Sequence, residues 1–465
     1  MRFPREHPCY RREVIDPLRI VDFHRLDASG ETYLDYAGAC PYPESLVMDH
    51  LWQLRDSLHG NPHSDSPASL RSTAALTRAR AAVLEFFNAD PDTYDVVFTA
   101  NATAAMALVG AAYPFDDFLY TADAHNSLLG IREYARERKA SIRYLPLNNQ
   151  LRIPTTELLA RLTLPVGEQR LLGFPAQCNF TGVQHPLEWI EHAHAHGWRV
   201  LVDAATFAST NTLDLSAHPA DYVAVSWYKI FGYPTGIGSL IARHHALAAL
   251  EQPSHAGGTT KAASVAADWY HLVAGAEGFE HGTVDYLAMP AVAAGCAWIR
   301  ELGIEAIHDR VRVLTQWTIG ALTQQRHSNG APLVRIYGPL GMRLRGGCVA
   351  FNFLDPAGAL IDDRVVSQAA GRWKISLRTG CFCAPGVGEA AFGLGSAQLA
   401  AAGELPQGTP LDDYLRALGM PTGGAIRISY GLASTAIDAE RFIAFAESFI
   451  DQHPSPGDLP QRVHC

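Results

Sequence analysis

Ser226 and Lys229 stand three residues apart, and Gly232, Gly236 and Gly238 follow within ten residues. The other lysines are Lys139, Lys261 and Lys374, and none of them lies between an apolar run and a glycine turn. Upstream, Val200-Leu201-Val202 ends in Asp203, and Tyr222-Val223-Ala224-Val225 ends in Ser226. Short β-branched runs that each end in a polar residue are the pattern of buried parallel strands presenting chemistry at their carboxyl ends. A desolvated amine close to an aspartate suits imine chemistry with an aldehyde cofactor, pyridoxal phosphate above all. The plain alternative for Lys229 is a solvated lysine in a loop.

Other strand ends add to the set. Asp95-Val96-Val97-Phe98-Thr99 runs through Ala100-Asn101-Ala102-Thr103 into an alanine-rich helix over residues 104–112. Free backbone N–H groups at a helix start favour a phosphate, while an ordinary cap by Thr99 or Asn101 explains the same residues. Phe118-Leu119-Tyr120-Thr121 precedes His125, whose flat ring can stack on an aromatic cofactor; it is one of 20 histidines, and only its place at a strand end separates it from the others. Cys381-Phe382-Cys383 is half of a metal-binding pattern with no matching second pair, so no metal is expected. A cysteine in a glycine-flanked loop near Arg378 fits an exposed nucleophilic thiolate better, with an inert loop cysteine as the alternative.

The elements that must position these residues alternate strand and helix, which predicts a parallel α/β sheet with its site at the carboxyl edge. Residues 1–30 are polar and proline-bearing and read as an irregular arm laid over another surface. Residues 43–58 have helical spacing, and residues 69–87 form an amphipathic helix with Leu76, Val83, Leu84 and Phe87 on one side. Gly257-Gly258-Thr259-Thr260 and Glu280-His281-Gly282-Thr283 read as loops, and residues 292–307 as one helix. Beyond these, residues 334–337, 348–353 (with alternation), 375–378 and 425–430 read as strands, and residues 436–450 as a closing amphipathic helix. The predicted organisation is an arm over 1–30, a large cofactor-binding α/β domain over 31–290 and a smaller α+β domain over 291–465.

With 465 residues, a formal net charge of −10 and 48% hydrophobic residues, the chain can bury a large core. Mild acidity disfavours nucleic acid or an anionic membrane as the main partner. No apolar run approaches a membrane span of about 20 residues, and no apolar segment follows the basic start, so neither a span nor a signal peptide is expected. The 8 cysteines are too sparse for a disulfide scaffold, which makes the cytoplasm the expected compartment.

Together the chain resembles the fold-type I, class V pyridoxal-phosphate enzymes, and among them the cysteine desulfurases. It is most similar to the desulfurase-like amino-terminal domain of molybdenum cofactor sulfurases. The stretches that carry the resemblance are residues 33–39, 60–64, 174–180, 226–236, 378–383 and 421–429, in one order over most of the chain. The resemblance implies a large, mostly parallel sheet domain, a smaller α+β carboxyl-terminal domain, pyridoxal 5'-phosphate and a homodimer. It implies that Lys229 carries the cofactor, Asp203 pairs with its ring nitrogen, His125 stacks on the ring and Asn179 reaches a cofactor oxygen. Ala102, Thr103 and Ser226 match phosphate-loop positions, and Thr283 a phosphate contact lent by the second subunit. Arg427 resembles the arginine that clamps a substrate carboxylate, with Arg378 beside it, and Cys383, five residues after Arg378, aligns with the persulfide-carrying cysteine. Simple desulfurases have histidine where Tyr228 stands and glutamine where Thr206 stands, so those cofactor contacts are expected to differ. Molybdenum cofactor sulfurases continue into a further carboxyl-terminal domain, and no counterpart is expected after the closing helix here.

The activity so implied takes sulfur from L-cysteine, or a related amino acid, onto Cys383 and releases alanine. The acceptor, a molybdenum cofactor-like molecule, a carrier protein or a biosynthetic scaffold, stays open. The alternatives are a class V C–S β-lyase or aminotransferase without a persulfide, and a non-catalytic sulfur-relay subunit.

Overall fold

The apolar runs pair into a seven-stranded sheet in the order Tyr94–Thr99, Gly238–Arg243, Tyr222–Ser226, Arg199–Asp203, Arg170–Pro175, Asp117–Thr121, Ser141–Leu145. The structure is a computed structural model that describes all residues except 1, 5, 165–166, 252–256, 421, 455–458, 460 and 463–465. Met1, Arg5 and Pro421, quoted or spanned in the sequence reading, therefore lie outside the described residues. Four neighbouring pairs are parallel, and only Gly238–Arg243 runs against its neighbours. Successive residues alternate between two apolar layers: Val96, Val200, Val202 and Val223 face one, Val97, Leu201 and Ala224 the other. Coverage on both faces is what makes these strands read as unbroken apolar runs.

A second, four-stranded antiparallel sheet has the order Val334–Tyr337, Cys348–Phe353, Ala425–Ser429, Arg378–Gly380. Its Val349, Phe351, Ile426 and Ile428 join the apolar layer on one face of the large sheet. Among the described residues no helix is long and apolar enough to cross a membrane.

Several sequence expectations are corrected. Residues 1–30 are largely helical, with helices Arg12–Asp22 and His24–Ser29. Pro17 sits inside the first of them, and tertiary anchors outweigh its missing N–H. Arg19 donates to Ala433 O at 2.8 Å and pairs with buried Asp438, and Arg310, fully buried under the Tyr10 ring, pairs with Asp16. Residues 292–307 are not one helix. Met289–Leu302 ends at Gly303, whose φ of 83° breaks the spiral, and Ile304–Gln324 starts anew. Strand Cys348–Phe353 does not alternate in burial but is buried throughout, and residues 375–378 split between two sheets. The glycine–threonine stretch at 257–260 leads into an antiparallel hairpin, Thr260–Ser264 with Trp269–Leu272, that periodicity did not reveal.

Candidate functional site

A cavity of about 330 Å³ opens at the carboxyl ends of the parallel strands. Ala102, Thr103, His125, Asn179, Asp203, Thr206, Ser226, Tyr228 and Lys229 all line it. The strand Tyr94–Thr99 feeds helix Ala102–Ala112, whose N-terminus forms one wall. The cap reading of that turn holds. Asn101 caps the helix, its Oδ1 accepting from Ala104 N at 2.9 Å, and the start of the helix still faces the cavity. Ser226 Oγ accepts from Ala102 N at 2.8 Å, tying the lysine strand to the helix start. Gly238 permits that approach, because a Cβ there would meet Asn101 backbone at 2.5 Å.

Lys229 stands in the short helix Trp227–Ile230 that follows strand Tyr222–Ser226. Burial pushes its pKa down; Asp203 opposes the shift and Arg427 adds to it. Asp203, at the end of the next strand, is held by Ala205 N, which donates to Oδ1 at 3.0 Å. His125 caps helix Asn126–Leu129, its Nδ1 accepting from Ser127 N at 3.1 Å. That bond puts the proton of the neutral ring on Nε2. Burial lowers the His125 pKa against the pull of Asp203, with Lys229 and Arg427 lowering it further, so the ring is neutral at neutral pH. Burial likewise raises the Tyr228 hydroxyl. Thr103 and Ser127 hydroxyls meet at 2.6 Å and join the helix-start wall to the histidine wall.

Arg378, Arg427 and Cys383 do not line this cavity; the small sheet and the loop before helix Pro385–Phe392 carry them to its rim. Asn126, next to His125, donates from its backbone N to Cys383 O at 2.7 Å, and Asn179 Nδ2 donates to Phe382 O at 2.7 Å. Asn179 thus uses its side-chain amide on the cysteine loop. Arg427 Nη1 donates to Asn179 O at 3.0 Å. Cys383 is free and exposed, whereas Cys381 is disulfide-bonded. Among the described residues no group of three or more His, Cys, Asp or Glu side chains is arranged to hold a metal.

Thr283 is not brought to the Lys229 cavity by its own chain. It is exposed and lines an adjoining cavity of about 250 Å³ with Thr99, Ala100 and Gly236. Buried Glu280 anchors its loop, accepting from Phe98 N at 3.0 Å and from Arg80 Nη2 at 2.8 Å. Sequence reasoning gave no role to Asp35, Asn126 or Phe382. Asp35 was visible only as a carboxylate within the stretch 33–39 that carries the resemblance; Asn126 acts through its backbone, which residue type does not reveal.

An amine, a neutral imidazole, a carboxylate and a helix start around one cavity fit the aldehyde, ring, pyridine nitrogen and phosphate of pyridoxal phosphate. The comparisons agree with this fold. Residues 32–442 match the family described as Aminotransferase class-V. The molybdenum cofactor sulfurase of Bos taurus is 34% identical over 464 residues, covering 94% of this chain and 52% of that protein. That of Solanum lycopersicum is 35% identical over 469 residues, covering 93% of this chain and 57% of the relative. The chain thus spans about half the length of these relatives. Among solved structures, the apo cysteine desulfurase of Thermococcus onnurineus NA1 is similar with a TM-score of 0.77 at 22% identity, covering 94% of this chain and 98% of that one. The Escherichia coli cysteine desulfurase CsdA has a TM-score of 0.72 at 24% identity, covering 93% of this chain and 97% of that one. These structural likenesses carry the fold, and the family match spans most of the sequence: the chain belongs to the class-V aminotransferase family and has its fold-type I architecture.

Proposed function

We propose that the chain is a pyridoxal-phosphate-dependent cysteine desulfurase. It moves sulfur from L-cysteine to Cys383 as a persulfide and passes it to an acceptor. The observation that carries the reading is the free, exposed Cys383 in a loop bonded at consecutive carbonyls to Asn179 and Asn126, beside the lysine cavity.

Lys229 would hold the cofactor through its amine, and the same amine would move the substrate α-proton; its depressed pKa leaves a larger share of the amine unprotonated for that work. When bound, the cofactor supplies an electron sink for the substrate carbon. Asp203 would keep a proton on the ring nitrogen. Neutral His125 would cover the ring face, with Thr206 and Tyr228 completing the walls. Ala102, Thr103 and Ser226 would hold the phosphate end. Arg427, with Arg378, binds the substrate carboxylate. The Cys383 thiolate attacks the substrate sulfur. An S–S bond forms as the substrate Cβ–S bond breaks, and its electron pair stays on the carbon skeleton and takes up a proton. The net change is Cys383–SH plus L-cysteine to Cys383–S–SH plus L-alanine. Thr283 is assigned to the phosphate of a second subunit, so the working unit is a homodimer.

Sequence similarity to molybdenum cofactor sulfurases over the matched region supports a molybdenum cofactor-like acceptor, with a carrier protein or biosynthetic scaffold as the competing identities. The test is a cysteine pulse followed by product analysis and peptide mass spectrometry. Without reductant, alanine matched by added sulfur on the Cys383 peptide is expected; with excess dithiothreitol, which reduces the persulfide, alanine and sulfide in equal amounts are expected. Cys383→Ser keeps the cofactor absorbance and loses catalytic sulfide release, while Cys381→Ser keeps most of it. Sulfide and alanine from Cys383→Ser at the wild-type rate rule out the persulfide, and pyruvate or a keto acid as product identifies a β-lyase or aminotransferase instead.

A further inference from the structure

Arg378 and Arg427 are direct cross-strand partners in the small sheet. Like charges placed opposite one another destabilise an antiparallel pair. Arg427 is only 3% exposed, and a buried cation needs a compensating partner. The anion comes from the other end of the chain. Strand Thr32–Tyr33 pairs with Ile375–Ser376, and Asp35 then bridges Ser429, which sets its carboxylate between the two guanidinium groups. Asp35 Oδ1 accepts from Arg427 Nη2 at 2.8 Å; Oδ2 accepts from Arg378 Nη2 at 2.8 Å and Nε at 3.0 Å. One anion against two cations leaves a positive charge. Arg427 Nε is buried and has no hydrogen-bond partner among the described residues. A residual charge and an unused buried donor are the chemistry that takes up one further carboxylate.

The same guanidinium lies 4.7 Å from the centre of the Phe382 ring. Phe382 is buried, packs edge-on against Phe180 at 4.9 Å and directly precedes Cys383. Phe382 and Cys383 have φ of 53° and 55°, a left-handed region that residues with side chains seldom occupy. That backbone persists only while its surroundings hold it, and Arg427 is one of the holds. A carboxylate that pairs with Arg427 weakens its attraction for the negative face of the ring.

We propose that Asp35 and Phe382 are positioning residues that act through Arg427. Asp35 aligns the guanidinium for a substrate α-carboxylate, and Phe382 passes the occupancy of Arg427 to the loop that carries Cys383. The identity of the substrate rests on the desulfurase reading; the link between a bound carboxylate and the cysteine loop does not.

The test measures the rate at which iodoacetamide alkylates Cys383 in the holoenzyme, by peptide mass spectrometry, without amino acid, with L-alanine and with L-alaninamide. L-Alanine changes the rate by at least about threefold, the scale of a modest shift between two loop states, and L-alaninamide, which lacks the carboxylate, does not. Phe382→Leu removes the response to L-alanine. Asp35→Asn shifts the alanine concentration for half-effect upward by about tenfold, the scale of one charge-assisted contact. A wild-type protein indifferent to L-alanine, or a Phe382→Leu protein that responds as wild type, overturns the proposal. Should Phe382→Leu fail to fold, the Asp35→Asn titration decides: a half-effect at the wild-type concentration overturns it. If alkylation responds as expected while cysteine yields no alanine, the desulfurase reading falls and the positioning link stands.

Discussion

In the proposed function the site chemistry turns on Lys229, and the environment of that residue makes a signed prediction. Burial depresses its folded pKa below the ordinary lysine value. The unfolded chain therefore binds the proton more readily, and stability rises with pH between the depressed value and the ordinary one. In cofactor-free protein, Lys229→Met should have a higher urea midpoint than wild type at neutral pH, and the gap should narrow as pH climbs toward the ordinary lysine range. A constant gap across that range would mean that the substitution acts by packing alone. In the cofactor-loaded protein, borohydride reduction and peptide mapping should label Lys229; label on Lys139, Lys261 or Lys374 would remove the assignment. Lys229→Ala should abolish both label and turnover.

At the scale of elements, the loop before helix Pro385–Phe392 joins two parts of the fold. It leaves the small sheet at Gly380 and enters the helix, whose start lies against Ala122, just past strand Asp117–Thr121. Gly386, the second residue of the helix, allows the close approach, since a Cβ there would overlap the carbonyl oxygen of Ala122. Gly386→Ala should lift the helix start, and with it the loop, from the strand end. Catalytic sulfide release should then fall by about tenfold or more, because transfer between two sulfurs depends on their alignment. The cofactor absorbance should remain, since the cavity walls are made by other elements. Loss of absorbance together with activity would place the loop's role in cofactor binding instead.

At the scale of the whole molecule, the cavity that Thr283 lines adjoins the Lys229 cavity, sharing Ala100 and Gly236 with it. Glu280 holds this loop to the large sheet, so Thr283 is presented outward on a fixed support. In the proposed homodimer Thr283 completes the partner's phosphate site. Thr283→Ala should weaken cofactor retention by about 1–2 kcal/mol, the scale of one charge-assisted hydrogen bond. Light scattering should show a dimer at assay concentrations; a fully active, cofactor-saturated monomer would contradict the assignment.

The sequence by itself determined the features whose cause is local. Unbroken β-branched runs ending in Asp203 and Ser226 meant buried strands with chemistry at their ends, because burial on both faces leaves no alternation. The helix Pro67–Phe86 was legible from its period, and Ala102, Thr103, His125, Asn179, Asp203, Thr206, Ser226, Tyr228 and Lys229 share one cavity, as their places at strand ends and in the matched stretches implied. Tertiary structure alone decided the rest. The first 30 residues carry helices because Arg19 and Arg310 anchor them to distant elements, which no local period encodes. The break at Gly303 depends on a backbone angle that the flanking apolar spacing conceals. Asp35 lies 343 positions from Arg378 and 392 from Arg427, so only sheet pairing could put one carboxylate between two cations. Residue type names a group's chemistry; across such separations, partners are set by which strands pair and in which register.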